Sequence, residues 1–338
     1  MSVRRVAIVA AGTGGHIYPG VAVAAALREK DPAVEVLFIG SLKGLEKELV
    51  TKAGWPIKLV RPQVAVAFFQ ALMILRSFRP QALLSTGGLI SLPVVLAAKL
   101  LGVPLFIQEQ NVLPGAANRF GARLAKEVFL SFPESLQYLR GTVAGNPVRP
   151  EIIRAERAAA RQALHLTGQK KVLLVMGGSQ GARSINQVVI DSLPSIDGER
   201  WELFHLIGPR DFGGRELPER PFYHPLAYLY NVGDLLAAAD LVISRAGASA
   251  IAEFTVRGLP MVLVPYPYAA DNHQELNAAA VESAGAALVV KNEKLTPASF
   301  ISALADAESE LPAMAAAARR LGRPEAAKLI AERILNGS

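Results

Sequence analysis

Val6-Ala7-Ile8-Val9-Ala10-Ala11-Gly12-Thr13-Gly14-Gly15-His16-Ile17-Tyr18-Pro19-Gly20 runs from an apolar stretch into glycines and opens onto the helical pattern of 21–30. A short apolar run without polar alternation, spanning 4–11, reads as a strand buried on both faces, as in a parallel sheet. The glycines after it let backbone approach a ligand closely, and the helix start beyond them offers N–H groups to an anion or a hydroxyl. Strand, glycine turn and helix together are the building unit of an α/β layer domain. The dinucleotide fingerprint is missing, because the spacing is not G-x-G-x-x-G and the next strand ends in Gly40-Ser41 where a ribose-binding acid belongs.

The same rhythm returns at 34–39, 82–85, 105–108 and 128–131, then restarts at 171–176, 203–207, 241–244, 261–265 and 287–290. This predicts two doubly wound, Rossmann-like α/β domains facing an interdomain cleft. Between them, Gly145-Asn146-Pro147-Val148-Arg149-Pro150 interrupts any helix or central strand and places the hinge. The tail from 312 to 334 is Ala/Arg/Leu-rich at helical spacing and broken near Gly322-Arg323-Pro324. Its closing helix is expected to return to the first domain, giving boundaries of 1–149 with 324–338, and 150–323.

Length and composition agree with that division. A chain of 338 residues suits two domains, and 51% hydrophobic with 19% charged residues excludes a disordered or fibrous protein. With no cysteine, disulfides, thiolate metal sites and thiol nucleophiles are excluded. The first strand starts so near Met1 that a signal peptide is not expected, and no apolar run reaches the ~20 residues that span a bilayer. The formal charge of +7 favours anionic partners. Without zinc-finger spacing, an RNP-type aromatic cluster or a long basic run, nucleic acid is not expected among them.

Further glycine turns carry the chemistry. Ser85-Thr86-Gly87-Gly88-Leu89-Ile90-Ser91 repeats the first turn, and Met176-Gly177-Gly178-Ser179-Gln180-Gly181-Ala182-Arg183-Ser184 repeats it at the head of the second domain. In the latter, Ser179 and the adjacent N–H groups suit a diphosphate. Ser244 to Glu253 again runs from strand into helix; Glu253, one turn beyond Ser249, fits either a capping pattern or a carboxylate for a ribose. Residues 265–277 mass polar groups after an apolar strand, where open α/β sheets bind ligands.

In this order, Gly12-Thr13-Gly14-Gly15-His16, Glu109-Gln110-Asn111, Gly145-Asn146-Pro147-Val148-Arg149, Gly177-Gly178-Ser179-Gln180-Gly181-Ala182-Arg183 and the 271–277 cluster resemble the MurG family over nearly the whole chain. These are the peptidoglycan N-acetylglucosaminyltransferases of the GT-B class. The resemblance implies transfer of N-acetylglucosamine from UDP-N-acetylglucosamine to the 4-hydroxyl of the N-acetylmuramoyl unit of lipid I, giving lipid II and UDP. It assigns the acceptor and the membrane to the first domain and the UDP-sugar to the second. Carried over by residue, Thr13, Gly14, Gly15 and Asn111 line the donor-sugar and acceptor side, while Arg149, Ser179, Glu253 and Gln274 hold the nucleotide sugar. Leu229 matches a main-chain contact to uracil, although its segment reads Tyr228-Leu229-Tyr230-Asn231-Val232-Gly233-Asp234 and departs from the common Tyr-Ile-Asp-Asp-Met. His273-Gln274 stands where some relatives have two glutamines.

The implied reaction is a single inverting displacement with no covalent sugar. His16 is the candidate general base, since imidazoles titrate near neutrality; a hydrogen-bond donor orienting the acceptor or its diphosphate is the competing role. Glu109 is a second candidate base. No cofactor is required, and a divalent cation enters only as a stimulant of UDP departure. The apolar stretch 64–80, ending in Arg76 and Arg79 with Lys43, Lys47 and Lys52 nearby, is either an interfacial helix drawn to anionic membrane lipid or an ordinary buried crossover helix. The corresponding location is the cytoplasmic face of the cell membrane, as a peripheral protein among partners of cell-wall assembly. Another GT-B lipid transferase, a UDP-N-acetylglucosamine epimerase, a non-catalytic nucleotide-sugar binder and a nicotinamide oxidoreductase are the alternative readings.

Overall fold

The computed structural model describes residues 4–166, 168–178, 181–213, 217–229 and 231–337. The chain forms two compact units, Met1–Arg149 with Arg323–Ser338, and Pro150–Gly322.

In the first unit β1 (Arg5–Val9), β2 (Glu35–Ser41), β3 (Ile57–Val60), β4 (Ala82–Ser85), β5 (Leu105–Glu109), β6 (Glu127–Leu130) and β7 (Thr142–Val143) form one sheet. Their order is β3-β2-β1-β4-β5-β6-β7, every neighbouring pair parallel, so the winding direction reverses between β1 and β4. The period-2 geometry of a strand splits the apolar residues between two cores. Val6, Ile8 and Ala10 face a core with α1 (Gly14–Lys30) and α2 (Glu46–Lys52), whereas Ala7, Val9 and Ala11 face one with α3 (Val64–Phe78) and α4 (Ser91–Leu100). A short α5 (Ala116–Ala122) packs beside α4.

In the second unit come α6 (Pro150–Arg154), α7 (Arg157–Ala163), β8 (Lys171–Met176), α8 (Arg183–Ser192), β9 (Trp201–Leu206), α9 (Pro209–Phe212), β10 (Tyr223–Leu226) and α10 (Gly233–Ala238). They are followed by β11 (Leu241–Ser244), α11 (Ala248–Arg257), β12 (Met261–Leu263), α12 (His273–Ser283), β13 (Ala287–Val289) and α13 (Pro297–Leu321). The parallel order β10-β9-β8-β11-β12-β13 reverses between β8 and β11. The chain then leaves this unit, and α14 (Ala326–Asn336) packs on α1 with Ile330 and Ile334 fully buried.

Several boundaries differ from the sequence expectation for identifiable reasons. The first helix begins at Gly14 instead of 21 and carries Pro19 inside it, because Ile17, Pro19 and Gly20 are buried against the sheet. A Cβ on Gly20 would lie 3.1 Å from Ile8 Cγ2, which shows how closely the helix approaches the sheet there. Helix α13 starts 15 residues before 312, where Thr296 and Ser299 form a reciprocal capping box, and Pro312 is accommodated within it. Strands β3, β7 and β10 were not expected: each is a sheet edge, β7 has only two residues, and β10 contains Pro225.

Candidate active site

In doubly wound sheets ligands gather at the carboxyl ends of the strands where the winding reverses. In the first unit, that is where the Gly12 and Gly87 turns meet. Register Val9↔Ser85 brings the two turns level, Ala11 N–H donates to Gly87 O at 3.3 Å, and Thr86 Oγ1 donates to His16 O at 2.8 Å. Both glycines of the second turn are required. Gly87 and Gly88 each have φ +96°, and a Cβ on Gly88 would stand 2.2 Å from Ala11 O.

His16, half-buried, lies in the first turn of α1, with Thr13 as N-cap. Its Nδ1 is 3.1 Å from Gln110 Oε1. The orientation of the Gln110 amide is fixed by its other end, since Nε2 donates to the carbonyls of Thr86 at 2.7 Å and Gln108 at 3.1 Å. Oε1 must then accept, so Nδ1 carries the proton of the neutral imidazole and Nε2 keeps its lone pair. That is the tautomer a base needs.

The second candidate base, Glu109, is corrected by its surroundings. It is 1% exposed and accepts from Asn111 N–H (2.9 Å), Gly115 N–H (3.1 Å) and Asn118 Nδ2 (2.8 Å), so it braces the 111–115 loop. Both oxygens of its carboxylate are committed to these donors. Asn111 belongs to this brace, with Nδ2 3.4 Å from Glu109 Oε1. Thr13 is exposed, Gly14 buried and Gly15 half-buried. Arg149, sorted by sequence with the nucleotide-sugar ligands, is the last residue of the first unit's main segment, buried with its guanidinium 4.0 Å from the Tyr18 ring centroid.

In the second unit the reversal lies between β8 and β11. Gly177 and Gly181 shape the turn after β8, since a Cβ on either would meet backbone at 2.3 Å (Ala182 N) and 2.2 Å (Ile207 O). Ser179 falls outside the described residues. The capping reading of Glu253 is overturned: the N-cap of α11 is Gly247, Ser249 lies inside the helix, and Glu253 sits in the second turn, 8% exposed. Gln274 Oε1 accepts from Tyr266 N–H at 2.9 Å, which ties the first turn of α12 to the end of β12. His273 Nδ1 contacts Ala270 O at 2.7 Å and closes the preceding turn. Leu229 is half-buried in the segment after β10.

Two residues of these sites escaped the sequence reading. Arg245, 9% exposed, donates to Val264 O, Pro265 O, Asn292 Oδ1 and Ser184 Oγ at 2.8 to 3.2 Å, knotting the ends of β11 and β12 to the first turn of α8. Burial lowers its pKa from the usual guanidinium range, with Tyr266 acting in the opposite sense, yet a guanidinium keeps its charge. Glu46, fully buried, accepts from Gly12 N–H. Arg245 lies within the Ser244-to-Glu253 segment, but the acceptors that give it its place come from distant parts of the chain, as the Gly12 amide does for Glu46. Among the described residues no three His, Asp or Glu side chains gather into a metal cluster.

Helix α3 buries Ala67, Ala71 and Leu75 while Phe69 (62%) and Met73 (65%) stay exposed on another face, with Leu89 (77%) exposed in the neighbouring turn. Arg76 and Arg79 end this helix, both exposed. Lys47 and Lys52 do not join them, because α2 packs with α1 on the opposite side of the sheet. Among the described residues no helix is long and apolar enough to cross a membrane.

Residues 6–130 match the glycosyltransferase family 28 N-terminal domain and residues 172–334 its C-terminal domain. The chain is 43% identical to the UDP-N-acetylglucosamine--N-acetylmuramyl-(pentapeptide) pyrophosphoryl-undecaprenol N-acetylglucosamine transferase of Moorella thermoacetica, over 98% of both chains. It is 40% identical to the enzyme of that name from Symbiobacterium thermophilum, over 98% of this chain and 96% of the other. Among solved structures, MurG of Acinetobacter baumannii superposes with a TM-score of 0.79 at 27% identity, covering 98% of this chain and 99% of that one. A UDP-GlcNAc 2-epimerase from Neisseria meningitidis, at 14% identity and TM-score 0.69, shares the fold alone.

Proposed function

The chain belongs to glycosyltransferase family 28, and from that membership we infer that it transfers N-acetylglucosamine from UDP-N-acetylglucosamine to lipid I in peptidoglycan synthesis. Full-length identity to transferases of that name carries this reading. The 4-hydroxyl of the N-acetylmuramoyl unit gives its proton to His16 Nε2 and its oxygen attacks the anomeric carbon. The bond to the diphosphate breaks, UDP leaves with the electron pair, and the α-linked donor becomes a β-linked product. The sugar ring gains positive charge and the departing diphosphate negative charge, so donors aimed at that diphosphate lower the barrier.

In this mechanism Thr13, Gly14, Gly15 and Asn111 line the acceptor and donor-sugar side, while Arg149, Ser179, Leu229, Glu253 and Gln274 hold the nucleotide sugar. The tautomer set by Gln110 supports His16 as the base. No cofactor is needed, and a divalent cation acts only as a stimulant. The exposed Phe69 and Met73, with Arg76 and Arg79 beyond them, favour the interfacial reading of α3, docking the protein peripherally on anionic lipid at the cytoplasmic face beside other proteins of cell-wall assembly. The test is transfer of labelled N-acetylglucosamine to a lipid I analogue, with the linkage read by NMR. A β-linked disaccharide is expected; epimerised donor, free sugar or no turnover would refute the reading.

A further inference from the structure

Glu46 is fully buried, and no step of the proposed reaction uses it. Its Oε1 accepts from the N–H of Gly12 at 2.8 Å and of Ser41 at 3.3 Å, while Oε2 is buried with no hydrogen-bond partner. Glycines enclose it: a Cβ on Gly44 (φ +143°) would lie 2.1 Å from Oε2, and one on Gly40 would lie 2.8 Å from Glu46 Cβ. A carboxylate buried with one oxygen unsatisfied costs more than an apolar side chain of the same shape, so the fold gains little by keeping it. What it does secure is the entry to α1. Gly12 precedes the N-cap Thr13, whose carbonyl accepts from His16 N–H at 3.0 Å but whose side chain makes no cap hydrogen bond, so no side chain of α1 itself fixes the chain that enters it. Glu46, the first residue of α2, holds the residue that leads into that turn, and His16 lies within the turn, four positions beyond the amide that is held.

We propose that Glu46 is a positioning residue for the transfer reaction, fixing Gly12, and through it the first turn of α1 and His16, against the end of β2 without touching substrate. The proposal rests on the assignment of His16 as base. Misplacing a catalytic group by about 1 Å can cost on the order of 100-fold in rate. Glu46→Leu fills the same space without an acceptor; it should lower kcat at least about tenfold while donor KM changes less than about threefold. Glu46→Gln keeps an acceptor for Gly12 and should recover most of the lost kcat. Amide hydrogen exchange at Gly12, read by NMR in the full-length protein, should quicken at least about tenfold in Glu46→Leu and return towards native in Glu46→Gln. If Glu46→Leu does not fold, Gly44→Ala, which pushes a methyl against Oε2, takes its place with the same expectations. Native kcat in the Leu or Ala variant, equal loss of kcat and donor affinity, or no rescue by Gln would overturn the proposal. If the native protein itself shows no transfer, the assigned reaction fails, and Gly12 exchange with the His16 ring resonances still decides whether Glu46 sets that turn.

Discussion

Replacing His16 with alanine separates its two possible duties by size and by sign. The structure commits Nδ1–H to Gln110 Oε1, so the neutral ring presents only an acceptor to substrate. A general base contributes about 100- to 10,000-fold, whereas a single neutral hydrogen bond is worth about 0.5–1.5 kcal/mol, or roughly 2- to 13-fold. Loss of kcat beyond about 100-fold, with donor KM little changed, is therefore the outcome expected of a base. The sign of the pH dependence gives a second criterion. A base works as the neutral ring, so kcat/KM should fall as pH is lowered, and that acid limb should vanish in His16→Ala. An imidazolium that orients the acceptor diphosphate would instead lose activity as pH rises. Steady-state transfer to a soluble lipid I analogue across pH, in native protein and His16→Ala, measures both. A loss under about tenfold, or a limb on the alkaline side alone, would refute the reasoning.

Gln274→Ala removes the acceptor that holds Tyr266 N–H and Ser179→Ala removes a candidate diphosphate donor; each should weaken UDP-N-acetylglucosamine binding by about 3- to 10-fold in calorimetric titration, and an unchanged Kd would clear that residue of the role. Arg245→Met leaves four acceptors without their donor and should cost about 2–5 kcal/mol, seen as a lowered melting transition by scanning calorimetry; a transition within about 1 °C of native would contradict the knot described for the second unit. Phe69→Glu combined with Met73→Glu should reduce cosedimentation with anionic vesicles at least about tenfold, because each apolar side chain is worth about 1.5–3 kcal/mol when buried. Equal cosedimentation would remove α3 from the membrane surface.

The central strands were legible because a strand buried on both faces must be apolar throughout; 82–85, 171–176 and 241–244 coincide with β4, β8 and β11. Edge strands carry no such demand, which is why Ile57–Val60 with its exposed Lys58 passed unread. Glycine turns were legible as motifs, yet the reasons for individual glycines are tertiary: Gly88 is needed because Ala11 O lies where its side chain would be. Local spacing misled at Glu253, where Ser249 and the acid keep a capping distance but the helix already starts at Ala248. Glu109 looked available because sequence does not show that Gly115 and Asn118 return to it. Glu46 and Glu48 look alike in sequence, two positions apart on one short helix, and only packing buries the former while exposing the latter.

The return of α14 to the first unit bears on how the chain matures during synthesis. The first unit's strands are complete by Val143, but the helix that covers part of α1 is made only after every element of the second unit. At about 5–20 residues per second, the intervening stretch takes on the order of tens of seconds to emerge. Throughout that interval the nascent first unit carries an uncovered apolar flank, while the second unit has every element it needs before α14 emerges. The half that begins first is therefore the half completed last, and a ribosome stalled short of residue 326 releases a chain whose first unit lacks its closing helix.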